Sequence, residues 1–137
     1  MKVDSILNGF VIDHIPAGLG MRLYDLLGLE KLNVTVALIK NVYSKKTGKK
    51  DIIKIDADIE LNLDVIGYIA KDATVNVIKN GVIIEKKTLS LPEKMVNVIK
   101  CKNPRCITTT EQELDHVFTL ADSEHGIYRC LYCEAEA

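Results

Sequence analysis

Four cysteines in the last third of the chain carry the strongest chemical signal in this sequence. They are spaced as C-x4-C, then 23 residues, then C-x2-C, and the pattern uses every cysteine of the protein. Each short pair can place two sulfurs on one ion, and the long loop can bring the pairs together. Four sulfur ligands leave no open coordination position for a reaction. The pattern therefore predicts one structural Zn²⁺ bound by Cys101, Cys106, Cys130 and Cys133.

Three alternatives to zinc follow from the same cysteines: a disulfide pair, four unrelated core thiols, or a rubredoxin-type iron. The first eight residues lack the apolar stretch and cleavage site of a signal peptide, so we expect a cytoplasmic location. Thiols stay reduced there, which favours a metal over disulfides. Iron of the rubredoxin type normally uses two C-x2-C arms, and the C-x4-C arm argues against it. No apolar run approaches the ~18 residues of a membrane span, so no membrane partner is expected.

Residues suited to catalysis are missing around this metal pattern. A zinc deaminase needs a His-x-Glu motif, and neither His14, His116 nor His125 is followed by x-Glu. The sequence also has no Gly-rich phosphate loop, no G-x-S-x-G and no H-E-x-x-H. We therefore expect a protein that is not an enzyme.

The charge distribution bears on one rival function, a zinc-ribbon module that binds nucleic acid. Residues 1–92 hold 13 Lys and Arg against 11 Asp and Glu, whereas residues 93–137 hold 5 against 8. Phosphate contacts supply most of the affinity of such modules, so they are usually basic. The acidic cysteine segment makes nucleic acid the less favoured partner.

The order of predicted elements in residues 1–92 indicates an α+β fold. Asn80-Gly81 between two β-branched runs is a strong hairpin signal, and Asn62 is a good helix N-cap. The resulting order of strand, helix, two strands, helix and strand is that of a ferredoxin-like sandwich, with two helices on one face of an antiparallel sheet. The predicted strands are 9–15, 33–40, 51–56, 74–79 and 82–87; the predicted helices follow Leu19 and Asn62, and residues 44–51 are a charged turn.

Residues 93–137 are predicted to form a second, small β domain of zinc-ribbon type. The β-like segments are 96–100, 115–121 and 127–129. About 40 residues cannot bury enough surface to fold alone, so metal binding is expected to stabilise this domain.

Polar residues on the predicted strands of the first domain suggest a phosphate site. Lys54 interrupts an apolar strand, Lys86 and Lys87 end another, and Asp13-His14 stands at the end of a third. From the residues alone, solvent-exposed strand positions are the favoured explanation of these lysines, and a backbone hydrogen bond explains His14.

Several motifs of this sequence, and their order along the chain, resemble the regulatory chain of aspartate carbamoyltransferase. The resemblance extends from about Val3 to Glu134. The resemblance implies a non-catalytic subunit of pyrimidine biosynthesis that forms homodimers bridging catalytic trimers. It implies a nucleotide-binding allosteric domain over residues 1–92, which takes ATP, CTP and UTP, and a zinc domain over residues 93–137 that contacts the catalytic chain. The motifs are Val11–Ala17, Lys50–Ile55, Ala73–Asn76, Ser90–Glu93 and the four cysteines.

The resemblance also implies which residues bind the nucleotide. Polar contacts are assigned to Asp13, His14, Lys54, Asn76 and Lys86. Backbone and apolar contacts to the base are assigned to Val3, Ser5, Ile6, Val11, Ile78 and Ile83. Lysine ammonium groups suit phosphates, and a carboxylate such as that of Asp13 suits a ribose hydroxyl.

Overall fold

The computed structural model describes residues 6–45, 48–111 and 113–137. The chain divides into two compact units, Met1–Ser90 and Leu91–Ala137. Val3 and Ser5, two of the residues assigned to the nucleotide, lie outside the described residues.

The first unit is the predicted α+β sandwich. Its five strands form one antiparallel sheet in the order β2-β3-β1-β4-β5. The order of its first six elements and the position of β1 between β3 and β4 are those of the ferredoxin-like fold, and β5 adds a fifth strand at one edge. The elements are β1 (Gly9–Pro16), α1 (Gly20–Leu26), β2 (Thr35–Ser44), β3 (Gly48–Asp56), α2 (Leu63–Ile69), β4 (Thr74–Lys79) and β5 (Val82–Thr88).

Alternation along the strands separates a buried face from an open face of this sheet. Successive side chains point to opposite sides of a strand, and partners directly across a ladder share a side. Apolar side chains on one side are fully buried together with Leu23 of α1 and Ile66 of α2. We call the opposite side the open face. The buried strand residues are Ile12, Ile15, Ile53, Ile55 and Val75.

Two local predictions about turns and caps are confirmed. Asn80 and Gly81 have φ values of 54° and 77°, as the tight β4–β5 hairpin requires. The Asn62 side chain accepts the backbone N–H groups of Asp64 and Val65, so it caps α2.

The β2–β3 hairpin is longer than predicted. Backbone pairing continues to Ser44 and Gly48, well into the segment that its charge marked as a turn. Both strands therefore extend past their predicted ends, because charged side chains such as those of Lys49 and Lys50 do not prevent the main chain from pairing.

The second unit contains a three-stranded antiparallel sheet in the order β6-β7-β8. The predicted first strand, 96–100, is wrong: the strand ends at Val96, because Asn97 adopts a left-handed φ of 58°. Met95, Phe118 and Tyr128 form its small buried core. The elements are β6 (Lys94–Val96), α3 (Ile107–Thr110), β7 (Val117–Asp122) and β8 (Ile127–Cys130).

Candidate metal centre and ligand-binding face

The four cysteine sulfurs of the second unit converge. Cys101 Sγ lies 3.6 Å from Cys133 Sγ, and Cys106 Sγ lies 3.7 Å from Cys130 Sγ. All four sulfurs are within 4.8 Å of one another. A tetrahedron with Zn–S bonds of about 2.3 Å has sulfur–sulfur edges of roughly 3.8 Å. The cluster thus fits a structural zinc site made of four thiolates.

The same distances exclude two of the alternatives drawn from the sequence. A disulfide requires sulfurs about 2.05 Å apart, and all four cysteines are free. Four unrelated core thiols would not converge on one point. The closest contacts also cross between the arms, since Cys101 faces Cys133 and Cys106 faces Cys130.

Each arm is positioned by the backbone around it. Cys106 is the N-cap of α3, and its N–H donates to the Asn103 carbonyl at 3.1 Å. Cys130 ends β8, and its amide donates to the Ala135 carbonyl at 2.9 Å. The Glu134 N–H returns to the Cys130 carbonyl at 2.9 Å, which closes the turn that carries Cys133.

Hydrogen bonds and burial set unequal pKa values in the cluster. Burial raises the pKa of the Cys101 thiol to about 12. The Ala135 backbone N–H lowers the pKa of Cys133 to about 6. The Thr108 hydroxyl, 3.0 Å from Cys106 Sγ, lowers the pKa of Cys106. Zinc binding must therefore displace a proton from Cys101, while the lowered pKa values of Cys106 and Cys133 favour loss of their protons.

Basic residues flank this cluster in the sequence, and one of them has a defined contact. Arg129 Nη1 donates to the Glu134 carbonyl at 3.1 Å, so it braces the turn between Cys130 and Cys133.

The open face of the first unit gathers the polar residues that the family resemblance assigned to the nucleotide. Val11 pairs with Lys54 on one side and with Asn76 on the other. Asn76 in turn pairs with Lys86. These four side chains therefore form one row across β3, β1, β4 and β5, roughly 14 Å long at the usual strand spacing.

Asp13 and His14 lie at a β-bulge beside this row. The register of β1 against β3 shifts between Ile12 and Ile15, and His14 has a φ of 61°. Without the extra residue, Ile12 and Ile15 could not both face the core. The bulge keeps Asp13 and His14 off the buried side, and His14 Nδ1 lies 3.4 Å from Thr74 Oγ1.

Lys50 is a member of this region that the sequence reasoning missed. Its ammonium lies 3.0 Å from Asp13 Oδ1 and 3.3 Å from Asp13 Oδ2. The available signal was the period of two along β3, which places Lys50 and Lys54 on the same side of the strand.

The apolar residues assigned to the base are placed less uniformly. Ile78 pairs with Ile83 next to the row, but Ile78 is buried whereas Ile83 is 59% exposed. Ile6 is buried just before β1. The Gly81 N–H donates to the Leu7 carbonyl at 2.9 Å, so the chain entering β1 runs alongside the β4–β5 turn.

Family models match almost the whole chain. The model described as aspartate carbamoyltransferase regulatory chain, allosteric domain, matches residues 1–90. The model described as aspartate carbamoyltransferase regulatory chain, metal binding domain, matches residues 93–137. This chain belongs to the family of aspartate carbamoyltransferase regulatory chains. The metal-binding description agrees with the four-sulfur cluster.

Individual relatives support the same family at high identity. The aspartate carbamoyltransferase regulatory chain of Bifidobacterium longum is 48% identical over 137 residues, which cover 100% of this chain and 99% of that protein. The corresponding chain of Clostridium botulinum is 51% identical over 134 residues, covering 98% and 92%. That of Clostridium tetani is 47% identical over 135 residues, covering 98% and 94%. Within the part of the chain that the structure describes, no helix is long and apolar enough to cross a membrane.

Proposed function

We propose that this chain is the non-catalytic regulatory subunit of an aspartate carbamoyltransferase complex and controls its catalytic chains in cytoplasmic pyrimidine biosynthesis. Family membership supports this role. The metal cluster agrees with it, because four thiolates on one Zn²⁺ leave no position for substrate. No nucleic acid and no membrane takes part.

The allosteric ligand is a nucleoside triphosphate, namely ATP, CTP or UTP, and it lies across the open face. The observation that carries this proposal is the row of Lys54, Val11, Asn76 and Lys86 in direct register. A triphosphate nucleotide is an extended ligand of comparable length. Its phosphates meet the lysine ammonium groups, which bind phosphate as point charges.

Residues around the row contact the ribose and the base of the nucleotide. Asp13 accepts from a ribose hydroxyl, and His14, which the bulge holds off the core, completes the polar side. Backbone and apolar contacts to the base come from Val3, Ser5, Ile6, Val11, Ile78 and Ile83.

Control of the catalytic chain requires unequal binding to two states of the complex. A nucleotide with the same affinity for both states shifts nothing, however tightly it binds. Typical coupling free energies of ~1–3 kcal/mol change the partner's affinity for substrate about 5- to 150-fold. Competition between ATP and CTP for one site would then report the balance of purine and pyrimidine nucleotides.

The second unit, residues 93–137, docks on the catalytic chain. Ile107, Leu131 and Tyr132 directly follow metal-binding cysteines or lie between them, and they are 50%, 52% and 47% exposed. Exposed apolar side chains on a small ordered framework are typical of a protein interface. Zinc holds both arms, so it orders this surface before binding.

Two regulatory chains also pair as a homodimer. Among the described residues, β2 and β5 are the outer strands of the five-stranded sheet, and an outer strand can pair with a strand of another chain. Sedimentation of the isolated chain over a range of concentrations tests this pairing.

The decisive experiment is co-expression with a catalytic chain of aspartate carbamoyltransferase. We expect one complex on size-exclusion chromatography, with carbamoyl transfer onto aspartate that responds to ATP and CTP. The chain alone should have no transferase activity. A complex that ignores both nucleotides would contradict the allosteric role, and activity of the isolated chain would contradict the non-catalytic role.

A further inference from the structure

A histidine outside the ligand set supports the first metal-binding cysteine. The Cys101 backbone N–H donates to His116 Nδ1 at 3.1 Å. An amide can only donate, so Nδ1 is the unprotonated nitrogen and the imidazole carries its proton on Nε2. Cys101 is 7% exposed, and a buried amide without an acceptor costs free energy. His116, the residue just before β7, supplies that acceptor.

Asn97 in turn fixes His116. The Asn97 N–H donates to the His116 carbonyl at 2.7 Å, which continues the β6–β7 ladder by one pair. The His116 N–H donates to Asn97 Oδ1 at 2.9 Å instead of to a backbone carbonyl. Asn97 can leave the strand at a φ of 58° because its side chain takes over this contact. Asn97 Nδ2 also donates to Asp115 Oδ1 at 2.9 Å.

The four ligands differ in how their backbone is held. Cys106 is the N-cap of a helix, and Cys130 ends a strand whose following turn carries Cys133. Cys101 instead follows an irregular segment between β6 and α3. Its amide is anchored through the side chain of a residue 15 positions away.

We propose that Asn97 and His116 are positioning residues for the metal centre: Asn97 orients His116, and His116 holds Cys101 where its sulfur completes the tetrahedron. A four-thiolate site gains its affinity from all four sulfurs at once, so freedom at one ligand weakens the whole site. Changes to residues that orient metal ligands typically lower metal affinity about 10- to 100-fold.

The test measures transfer of zinc from the purified full-length chain to a chromophoric chelator. We expect His116→Ala and Asn97→Ala to lose zinc about tenfold faster than the wild type. Asp115→Ala removes the Asn97 Nδ2 contact but keeps the oxygen that accepts the His116 N–H, so it should retain most of the slow release. His125→Ala is the matched control, because His125 lies in the β7–β8 turn and its ring contacts Asp122 rather than a cysteine.

Two spectroscopic readouts separate positioning from a general loss of structure. In the wild-type zinc protein, ¹⁵N spectra should show His116 as the Nε2–H tautomer, a result that does not depend on any variant folding. In Co²⁺-substituted protein, His116→Ala should shift the thiolate-to-metal absorption bands while His125→Ala leaves them unchanged. Wild-type release rates in folded His116→Ala, an equal effect of His125→Ala, or an Nδ1–H tautomer would each overturn the proposal.

Discussion

The carboxylate of Asp51 accepts the backbone N–H of Gly20 at 2.9 Å in the core of the first unit. The same oxygen accepts the Gly18 N–H at 3.1 Å, and the other oxygen accepts the Asn41 N–H at 2.8 Å. Asp51 is fully buried, so these amides replace water around its charge. One side chain thus ties the start of α1 to Asn41 of β2, where the register against β3 shifts between Ile39 and Val42.

Replacing Asp51 with Asn should destabilise the chain. In the variant, an NH₂ group replaces one of the two oxygens that accept backbone N–H groups. The side-chain NH₂ would then face a backbone N–H, and leaving such buried donors unpaired costs about 1–3 kcal/mol. Urea unfolding followed by circular dichroism measures the change. Asp56→Asn, at the exposed end of the same strand, is the control and should have little effect. Equal stability of the two variants would contradict this role of Asp51.

Gly20→Ala should also destabilise the first unit. A Cβ at this position would lie 2.8 Å from Asp51 Oδ2 and 2.9 Å from Leu38 Cδ1. Contacts that short force a shift in the packing, and overpacking of this kind costs about 1–3 kcal/mol. The same unfolding measurement applies, with Gly20→Ala compared against wild type at equal zinc content. An unfolding midpoint unchanged from wild type would show that the contact relaxes without cost.

The contacts of Asp51 also show what local sequence patterns cannot predict. The Asn80-Gly81 turn, the Asn62 cap and the cysteine pairs depend on residues close together in the chain, so their patterns were sufficient. The irregularity at Asn41 in β2 depends on Asp51, which lies on another strand. An aspartate at the end of a charged segment gives no indication that three distant amides surround it.

The same distinction holds in the metal unit. The spacing of the cysteines predicted the ligand set, but residues 96–100 were predicted as a strand that the structure ends at Val96. Asn97 leaves the strand because its side chain can bond to His116, and that partner is 19 residues away. Short-range periodicity contains no information about such a contact.

Lys54→Ala should weaken the binding of both ATP and CTP by ~1–3 kcal/mol, the usual contribution of a charge-assisted hydrogen bond. Lys54 lies in the row across the open face, so both nucleotides should lose the same phosphate contact. Calorimetric titration of the full-length chain measures the change. Lys71→Ala, an exposed lysine before β4, should bind both nucleotides as the wild type does. Unchanged affinity in Lys54→Ala would place the site elsewhere.

Zinc affinity should rise with pH between about 6 and 8, because protons compete with the metal for thiolates. Burial raises the pKa of Cys101 to about 12, so this thiol is protonated in the metal-free cluster at neutral pH. Cys133 has its pKa lowered to about 6 by the Ala135 N–H, so this thiol gains its proton only as the pH falls through that value. Competition with a chelator of known pH dependence measures the trend. A zinc affinity that stays constant with pH, after correction for protonation of the chelator, would contradict this prediction.

Cys130→Ala should remove the metal and unfold the second unit while the first unit stays folded. The small core of residues 91–137 includes Phe118 and Tyr128, and the strand that carries Tyr128 ends at Cys130. Elemental analysis should find about one zinc per wild-type chain and none in the variant, since one tetrahedron takes four thiolates. Amide exchange should then be fast beyond about residue 95 and slow in the first unit. A variant with slow exchange in the β6–β8 sheet would refute the structural role of zinc.

Removing zinc from the complex should release the catalytic chains in an active form that no longer responds to nucleotides. The proposed docking surface includes Ile107 and Leu131, which follow Cys106 and Cys130 directly, so it depends on the metal to keep its shape. Mercuration of the thiols or chelation, followed by size-exclusion chromatography and activity assays, tests this. Leu131→Ser provides a second test without metal removal: zinc content should stay at the wild-type level while association with the catalytic chain weakens. A complex that keeps its full nucleotide response after zinc is lost would show that docking does not require the metal centre.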